Sequence, residues 1–209
     1  GNDSNVQLWD VETGELLCTL TGHEAWVQDL AFSLDGITLA SASSDETVRL
    51  WNVDDCSEAR VLEGEHFGEV LSVIISPDGT TVVSGDSDRY LVVWDITTGT
   101  AALPLEFPGG VDGLAYAEDQ RLAVGTWDGS VTVWDTDEDG QPVLLHWLSG
   151  EHTDAVVSVA FLSNGTQVAS AAKDNTIKLW DLETESVVQT FQGHRREVDD
   201  LVFSADSSL

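Results

Sequence analysis

Hydrophobic and polar residues alternate along short stretches of the chain. Residues 27–32, 37–42 and 47–51 show the two-residue period of half-buried β-strands. No stretch shows a sustained helical period. Between the alternating stretches stand turn pairs that supply the positive φ angles of tight hairpins, namely Asp35-Gly36, Asp78-Gly79 and Asn164-Gly165. The pattern predicts an all-β chain built from four-stranded antiparallel units.

An internal repeat organises these strands. A Trp followed by Asp or Asn recurs at spacings of 42, 43, 40 and 46 residues. The tryptophans of these pairs are Trp9, Trp51, Trp94, Trp134 and Trp180. Histidines that close a Gly-His or Gly-Glu-His step stand 28 residues before three of them, at His23, His66 and His152. A repeat of about 40 to 45 residues with such pairs is typical of β-propeller blades.

The chain resembles the WD40-repeat β-propellers over essentially its whole length. In that family a repeat carries a His, a Ser or Thr on its second strand, an Asp in the next hairpin and a Trp on its third strand. The resemblance implies a buried hydrogen-bonded network in each blade, in which polar atoms that are costly to bury alone satisfy one another. The matching residues are His23, Ser41, Asp45 and Trp51; His66, Ser84, Asp88 and Trp94; and His152, Ser170, Asp174 and Trp180.

The same residue types could form a Ser-His-Asp hydrolase site, whose members must reach one another and face a substrate cleft. Their repetition in three blades favours structure, because catalysis needs one site. A further blade departs from the pattern, since Phe107 replaces the His and Val124 replaces the Ser. Replacing both partners of a buried network costs much less than removing one. We therefore expect this blade to fold, with Asp128 bonding backbone amides in its turn.

The chain is strongly acidic and moderately apolar. It carries 38 acidic and 8 basic residues, a formal net charge of −30, which argues against binding to nucleic acid. An apolar fraction of 42% argues against disorder. The apolar runs are too short to span a bilayer and there is no polybasic segment, so no membrane association is predicted. Cys18 and Cys56 form no CxxC pair and indicate neither a zinc ribbon nor a disulfide framework.

Two explanations of the acidity stay open. A surface of hydrated carboxylates keeps proteins of a salt-rich cytoplasm soluble when salt screens their charge. Alternatively, the negative field steers a basic partner onto the protein.

The chain is expected to form a single propeller region, residues 1–209, with incomplete blades at both ends. Residues 1–20 match the last two strands of a blade, and residues 194–209 match a first strand and its hairpin. The chain also contains no Met, so residue 1 is not a translation start, and we interpret the sequence as a fragment or a processed chain. Either it is part of a larger ring, or five blades close with a defective fifth. We favour the larger ring, because the missing strand would lie in the middle of a sheet.

The resemblance also implies where a partner would bind. In WD40 proteins, partners often contact the residue before the hairpin Asp and those just after the His. The candidate partner-binding residues at such positions are Trp26, Phe67, Trp127, Lys173 and Arg195. The aromatic side chains could instead pack over neighbouring loops or plug the central channel. Lys173, Arg195 and the adjacent Arg196 could dock an acidic group of a partner or merely relieve local repulsion.

One acidic segment has the form of a calcium-binding loop. Asp135, Asp137, Asp139 and Gly140 match the start of such a loop, but its twelfth position is His146 where the loop needs Glu. We therefore predict a solvated turn there, no metal site and no other cofactor.

The leading hypothesis is a non-catalytic, cytoplasmic WD40 propeller that binds other proteins or peptides as a scaffold or regulatory module. By resemblance, its parent chain could also carry a signalling or NTP-hydrolysing domain. The alternative is an enzyme or a metal-dependent ligand-binding propeller with a site at the central channel. Converging carboxylates or histidines would favour that alternative, whereas the alignment places aromatic and small residues there. P-loop, HExxH and GxSxG motifs are absent from the sequence.

Overall fold

The computed structural model describes residues 3–136 and 141–204. Within these residues the regular structure is all β, with four four-stranded antiparallel sheets and one two-stranded sheet. The described residues fall into two compact units that divide between Glu106 and Phe107. Among them, no helix is long and apolar enough to cross a membrane.

The N-terminal unit holds the two-stranded sheet and two blades, and each blade follows the chain from its first to its fourth strand. The two-stranded sheet comprises β1 (Val6–Trp9) and β2 (Leu16–Leu20). Blade 1 comprises β3 (Val27–Phe32), β4 (Thr38–Ser43), β5 (Val48–Asn52) and β6 (Ser57–Leu62). Blade 2 comprises β7 (Val70–Ile75), β8 (Thr81–Asp86), β9 (Tyr90–Asp95) and β10 (Leu105–Glu106).

The C-terminal unit holds two more blades with the same strand order. Blade 3 comprises β11 (Val111–Tyr116), β12 (Leu122–Thr126), β13 (Val131–Thr136) and β14 (Pro142–Leu148). Blade 4 comprises β15 (Val156–Phe161), β16 (Gln167–Ala172), β17 (Thr176–Asp181) and β18 (Ser186–Gln192). The predicted turn glycines Gly36, Gly79 and Gly165 all have positive φ, between 65° and 73°.

Each blade has a β-bulge near the start of its first strand. The register of that strand against the second shifts by one residue, between Val27 and Asp29 in blade 1 and at the equivalent place in the others. A bulge re-aims the side chain of the extra residue and often stands beside a functional site. The residues at this position are Gln28, Leu71, Asp112 and Val157.

The tryptophan of the third strand is the largest core residue of most blades. Trp51, Trp94 and Trp180 are at most 2% exposed, whereas Trp9 is 53% exposed. Within the described residues β1 pairs only with β2, so no second strand covers the Trp9 ring. Full burial of such a ring is worth roughly 2–3 kcal/mol, and the two-stranded sheet lacks about half of this contribution.

Two expectations differ from the structure. No strand forms over residues 198–203, where a first strand was predicted, because no second strand pairs with this segment in the described part of the chain. The segment still contacts blade 4, where the Ser158 hydroxyl donates to Asp200 Oδ1 at 2.8 Å. Residues 205–209 of the predicted hairpin lie outside the described residues.

The sequence pattern indicated no disulfide framework, but the structure contains a disulfide. Cys18 in β2 and Cys56 in the turn before β6 are joined by a disulfide, with their Cα atoms 6.4 Å apart. The bond links the two-stranded sheet to blade 1. The 38-residue separation carries no local signal of the pairing, because only the packing of the two sheets brings these positions together.

Candidate protein-binding surface

The repeated polar residues of blades 1 and 4 form a hydrogen-bonded chain inside each blade. In blade 1, His23 Nε2 lies 2.7 Å from Ser41 Oγ, and His23 Nδ1 lies 2.8 Å from Asp45 Oδ2. The indole N–H of Trp51 donates to the same Ser41 oxygen at 2.8 Å. Blade 4 repeats these three distances, each within 0.1 Å, with His152, Ser170, Asp174 and Trp180.

Blade 2 builds the same network with a different carboxylate. His66 Nε2 lies 2.6 Å from Ser84 Oγ, but His66 Nδ1 pairs with Asp86 at 2.8 Å, so the choice of Asp88 was wrong. In blade 1 a hydroxyl from Thr47 holds Asp45 at 2.6 Å. Tyr90 stands at the equivalent position of blade 2, and its backbone N–H donates to Asp86 instead. Asp86 is completely buried, whereas Asp88 is exposed.

Electrostatics in these networks indicate a structural role. Burial lowers the pKa of His23 and His152, although hydrogen bonding to their aspartates opposes the shift. Burial raises the pKa of Asp45 and Asp174, but hydrogen bonds outweigh it and lower both to about 2. The serine hydroxyls are 0% exposed, so a substrate has no access to them.

Blade 3 replaces the network with an apolar contact. The Phe107 ring packs edge-on against Trp134, with ring centroids 5.7 Å apart, and Val124 is fully buried. Trp134 donates its indole N–H to the Thr132 hydroxyl at 2.8 Å. Asp128 accepts the backbone N–H of Ser130 at 3.2 Å, as expected for its turn.

The loop before the first strand meets the hairpin between the second and third strands in every blade. A backbone hydrogen bond joins the two segments each time, from Ser44 to Trp26, Ser87 to Glu69, Trp127 to Gly110 and Lys173 to Ala155, at 2.9–3.0 Å. We call this edge of a blade its loop end. All five candidate partner-binding residues lie in segments that meet there or in the equivalent loop after β18.

In the N-terminal unit, two candidate aromatic side chains are largely exposed at loop ends. Trp26 of blade 1 is 56% exposed and Phe67 of blade 2 is 67% exposed. The Phe67 ring meets Tyr90, with centroids 6.2 Å apart and planes at 68°. Phe67 and Tyr90 line a cleft of about 450 Å³ with Ser87, Asp88 and Arg89.

In the C-terminal unit, Trp127 is held from several directions. Its indole N–H donates to Asp112 Oδ2 at 3.1 Å, and Lys173 Nζ lies 5.9 Å from its ring centroid. Gly110 lies so close that a Cβ there would stand 2.7 Å from the indole ring. Burial raises the pKa of Asp112, while the Trp127 hydrogen bond and the charge of Lys173 oppose that shift. Trp127 still remains 40% exposed.

The Lys173 side chain that approaches Trp127 also lines a cleft. Lys173 and Arg196 line a cleft of about 620 Å³ together with Asn175, Glu197 and Asp199. Arg195 is exposed in the same segment. Within the described residues, no carboxylate lies within ion-pair distance of Lys173, Arg195 or Arg196.

Sequence reasoning missed Asp112 and Tyr90 as parts of these surfaces. Asp112 is the bulge residue of its strand, and a bulge is not visible in a single alternating pattern. Tyr90 replaces the Thr found at its position in blades 1 and 4. That replacement is the sequence signal that could have indicated two things: that Tyr90 belongs to the surface, and that Asp86 pairs with the histidine in place of Asp88.

The calcium-like segment lies mostly outside the described residues, which include neither Asp137, Asp139 nor Gly140. The carboxylate of Asp135 accepts the backbone N–H of Thr136 at 2.7 Å, and His146 pairs with Glu185 at 3.0 Å. Among residues 3–136 and 141–204, no three His, Cys, Asp or Glu side chains are grouped as metal ligands.

Successive four-stranded antiparallel sheets with an inward Trp and a buried His-Ser-Asp network define a β-propeller repeat protein. The family model for the WD domain, G-beta repeat, matches residues 14–52, 56–95, 105–135 and 143–181. The chain belongs to the WD40 repeat family.

Curated relatives are distant and longer than this chain. It is 29% identical over 180 residues to nuclear distribution protein PAC1-2 of Uncinocarpus reesii, covering 86% of this chain and 34% of that protein. It is 31% identical over 188 residues to pre-mRNA-processing factor 19 homolog 2 of Arabidopsis thaliana, covering 87% of this chain and 35% of that protein. The periodic tryptophan protein 2 homolog of Schizosaccharomyces pombe is 27% identical, and the match covers 92% of this chain and 20% of that protein. The chain thus spans about a third or less of these relatives.

Proposed function

We propose that this chain is a non-catalytic module that binds other proteins or peptides through its loop ends, as a scaffold or regulatory element. The observation that carries the proposal is the geometry of Trp127. A ring that is fixed by Gly110, Asp112 and Lys173 and yet 40% exposed loses little conformational freedom when a partner covers it. Exposed, preorganised aromatic residues are frequent anchors of protein interfaces.

The proposal assigns partner contact to Trp26 and Phe67 in one unit and to Trp127, Lys173 and Arg195 in the other. Membership of the WD40 family supports it, since the family resemblance implies partner binding at these positions. The buried His-Ser-Asp networks support the non-catalytic part, because their hydroxyls are closed to solvent. A cytoplasmic location belongs to the same proposal.

Selection from a library of short random peptides tests this function. We expect the selected peptides to bind the wild-type chain, and to bind Trp26→Ala or Trp127→Ala at least about tenfold more weakly. Trp147→Ala is the matched control, because Trp147 is 49% exposed on the last strand of blade 3. Equal binding to all variants, or the absence of any selected peptide, would contradict the proposal.

A further inference from the structure

The cleft beside Phe67 combines aromatic rings with a free carboxylate. We call it the aromatic cleft, and its lining residues are Phe67, Ser87, Asp88, Arg89 and Tyr90. The edge contact with Tyr90 orients Phe67 while 67% of its side chain stays exposed. The face of an aromatic ring carries partial negative charge and attracts the ammonium of Lys or the guanidinium of Arg.

Negative charge is in excess around this cleft. Arg89, the cation in the cleft, is paired with Glu106, with Nη2 and Oε1 2.9 Å apart. Asp88 is exposed and has no basic partner within ion-pair distance among the described residues. Its carboxylate is therefore available to a cation that enters from solvent.

The other arginines of the N-terminal unit are also occupied. Arg49 pairs with Glu58, and Arg60 donates to the backbone carbonyls of Thr97 and Thr98 at 2.7 and 3.0 Å. Three exposed glutamates near the loop ends have no basic residue within ion-pair distance in the described part of the chain. They are Glu24, Glu46 and Glu69.

Blade 1 extends this surface with Trp26. The first strands of the two blades contact each other, and the Asp29 carboxylate accepts the backbone N–H of Val73 at 2.9 Å. These two residues differ by one position in equivalent strands. Trp26, at 56% exposure, stands in the loop that enters β3 of the neighbouring blade.

We propose that the aromatic cleft binds a Lys or Arg side chain from a positively charged, extended segment of a partner protein, with Asp88 as its counter-ion and Trp26 as a second contact. The inference rests on the proposed function and specifies the chemistry of the partner. A net charge of −30 adds long-range attraction for such a segment and accelerates its association.

Calorimetric titration with two short synthetic peptides tests the inference, one alternating Lys with Ala and one alternating Glu with Ala. We expect binding of the Lys peptide only, weakening as the salt concentration rises from about 50 to 300 mM. Phe67→Ala should weaken binding about fivefold and Asp88→Asn about threefold.

The matched controls are Phe32→Ala and Asp54→Asn, which remove an exposed aromatic ring and an exposed carboxylate elsewhere in the same unit. Both should change the affinity less than about twofold. Equal losses in all four variants would show diffuse attraction and overturn the inference. Preferential binding of the Glu peptide would overturn it as well.

The two proposals fail separately. If the peptide library yields loop-end binders that are not basic, the interaction function stands and the cation site is wrong. If the library yields no loop-end binders and the Lys peptide does not bind the cleft either, the interaction function fails and the cation site fails with it.

Discussion

Ser41 and Ser170 each serve two partners at once. Their hydroxyl oxygens accept an indole N–H at 2.8 Å and lie 2.7 Å from a histidine nitrogen. Because both serines are fully buried, removing either hydroxyl would leave two polar groups without a partner. Each unsatisfied group costs about 1–3 kcal/mol, so the network stabilises its blade only as a complete set.

Blade 3 offers a test of this coupling, since its Phe107 and Val124 are both apolar. We expect Phe107→His and Val124→Ser each to lower the free energy of unfolding by about 2 kcal/mol, because each buries a polar group without its partner. In the double variant the new hydroxyl and imidazole can pair. The double variant should therefore lose less free energy of unfolding than the sum of the two single variants, by about 1 kcal/mol.

Urea unfolding of the four proteins measures this difference. The matched control cycle combines Phe107→His with Thr98→Ser, because Thr98 lies on an exposed turn of the other unit. Strict additivity in the Phe107 and Val124 cycle would mean that blade 3 cannot rebuild the network.

At the scale of elements, the smallest sheet depends on a covalent link. The sheet of β1 and β2 has two strands, and a two-stranded sheet is marginal in water. Its core contacts include Val6, Leu8 and Leu20, packed with Leu39 and Trp51 of blade 1. The Cys18–Cys56 disulfide adds a second attachment to the same blade.

Loss of that disulfide should destabilise the N-terminal unit. Closing a loop of 38 residues corresponds to about 4 kcal/mol in the chain-entropy model, so reduction or Cys18→Ser should lower the midpoint of unfolding. Thermal unfolding with and without dithiothreitol measures the effect. The Cys18→Ser, Cys56→Ser double variant is the control, because reductant should leave it unchanged.

Two free thiols in the oxidised native protein would contradict the bond. The same measurement bears on the cytoplasmic location, since thiols stay reduced in most cytosols. A bond that forms only under strong oxidation is compatible with that location.

For the molecule as a whole, charge is the dominant property. Carboxylates outnumber basic residues by 38 to 8, and mutual repulsion of like charges opposes the compact state. Salt screens this repulsion over about 10 Å at 0.1 M. We therefore expect the stability of the protein to depend on the salt concentration.

We expect the midpoint of thermal unfolding to rise by several degrees between about 0.1 and 1 M KCl. A comparison at matched osmolality with a non-electrolyte such as sucrose controls for general solute effects. A midpoint unchanged by KCl would contradict adaptation to a salt-rich cytoplasm and leave steering of a partner as the explanation of the charge.

The sequence by itself determined the architecture of this protein. Strand alternation, turn glycines and the spacing of Trp51, Trp94 and Trp180 are local or periodic signals, so they predict the blades and most members of the polar networks. The apolar pair at Phe107 and Val124 could be read in the same way, because both replacements stand at fixed positions of a repeat.

Only the tertiary structure decided the contacts between positions that no repeat relates. Three contacts depend on distances across loops and bulges. They are the Cys18–Cys56 bond, the pairing of His66 with Asp86 and not Asp88, and the packing of Trp127 against Gly110 and Asp112. A bulge or a changed turn residue moves a side chain by several ångströms without altering the alternating pattern. Such shifts decide which polar groups meet, and therefore which surfaces can bind a partner.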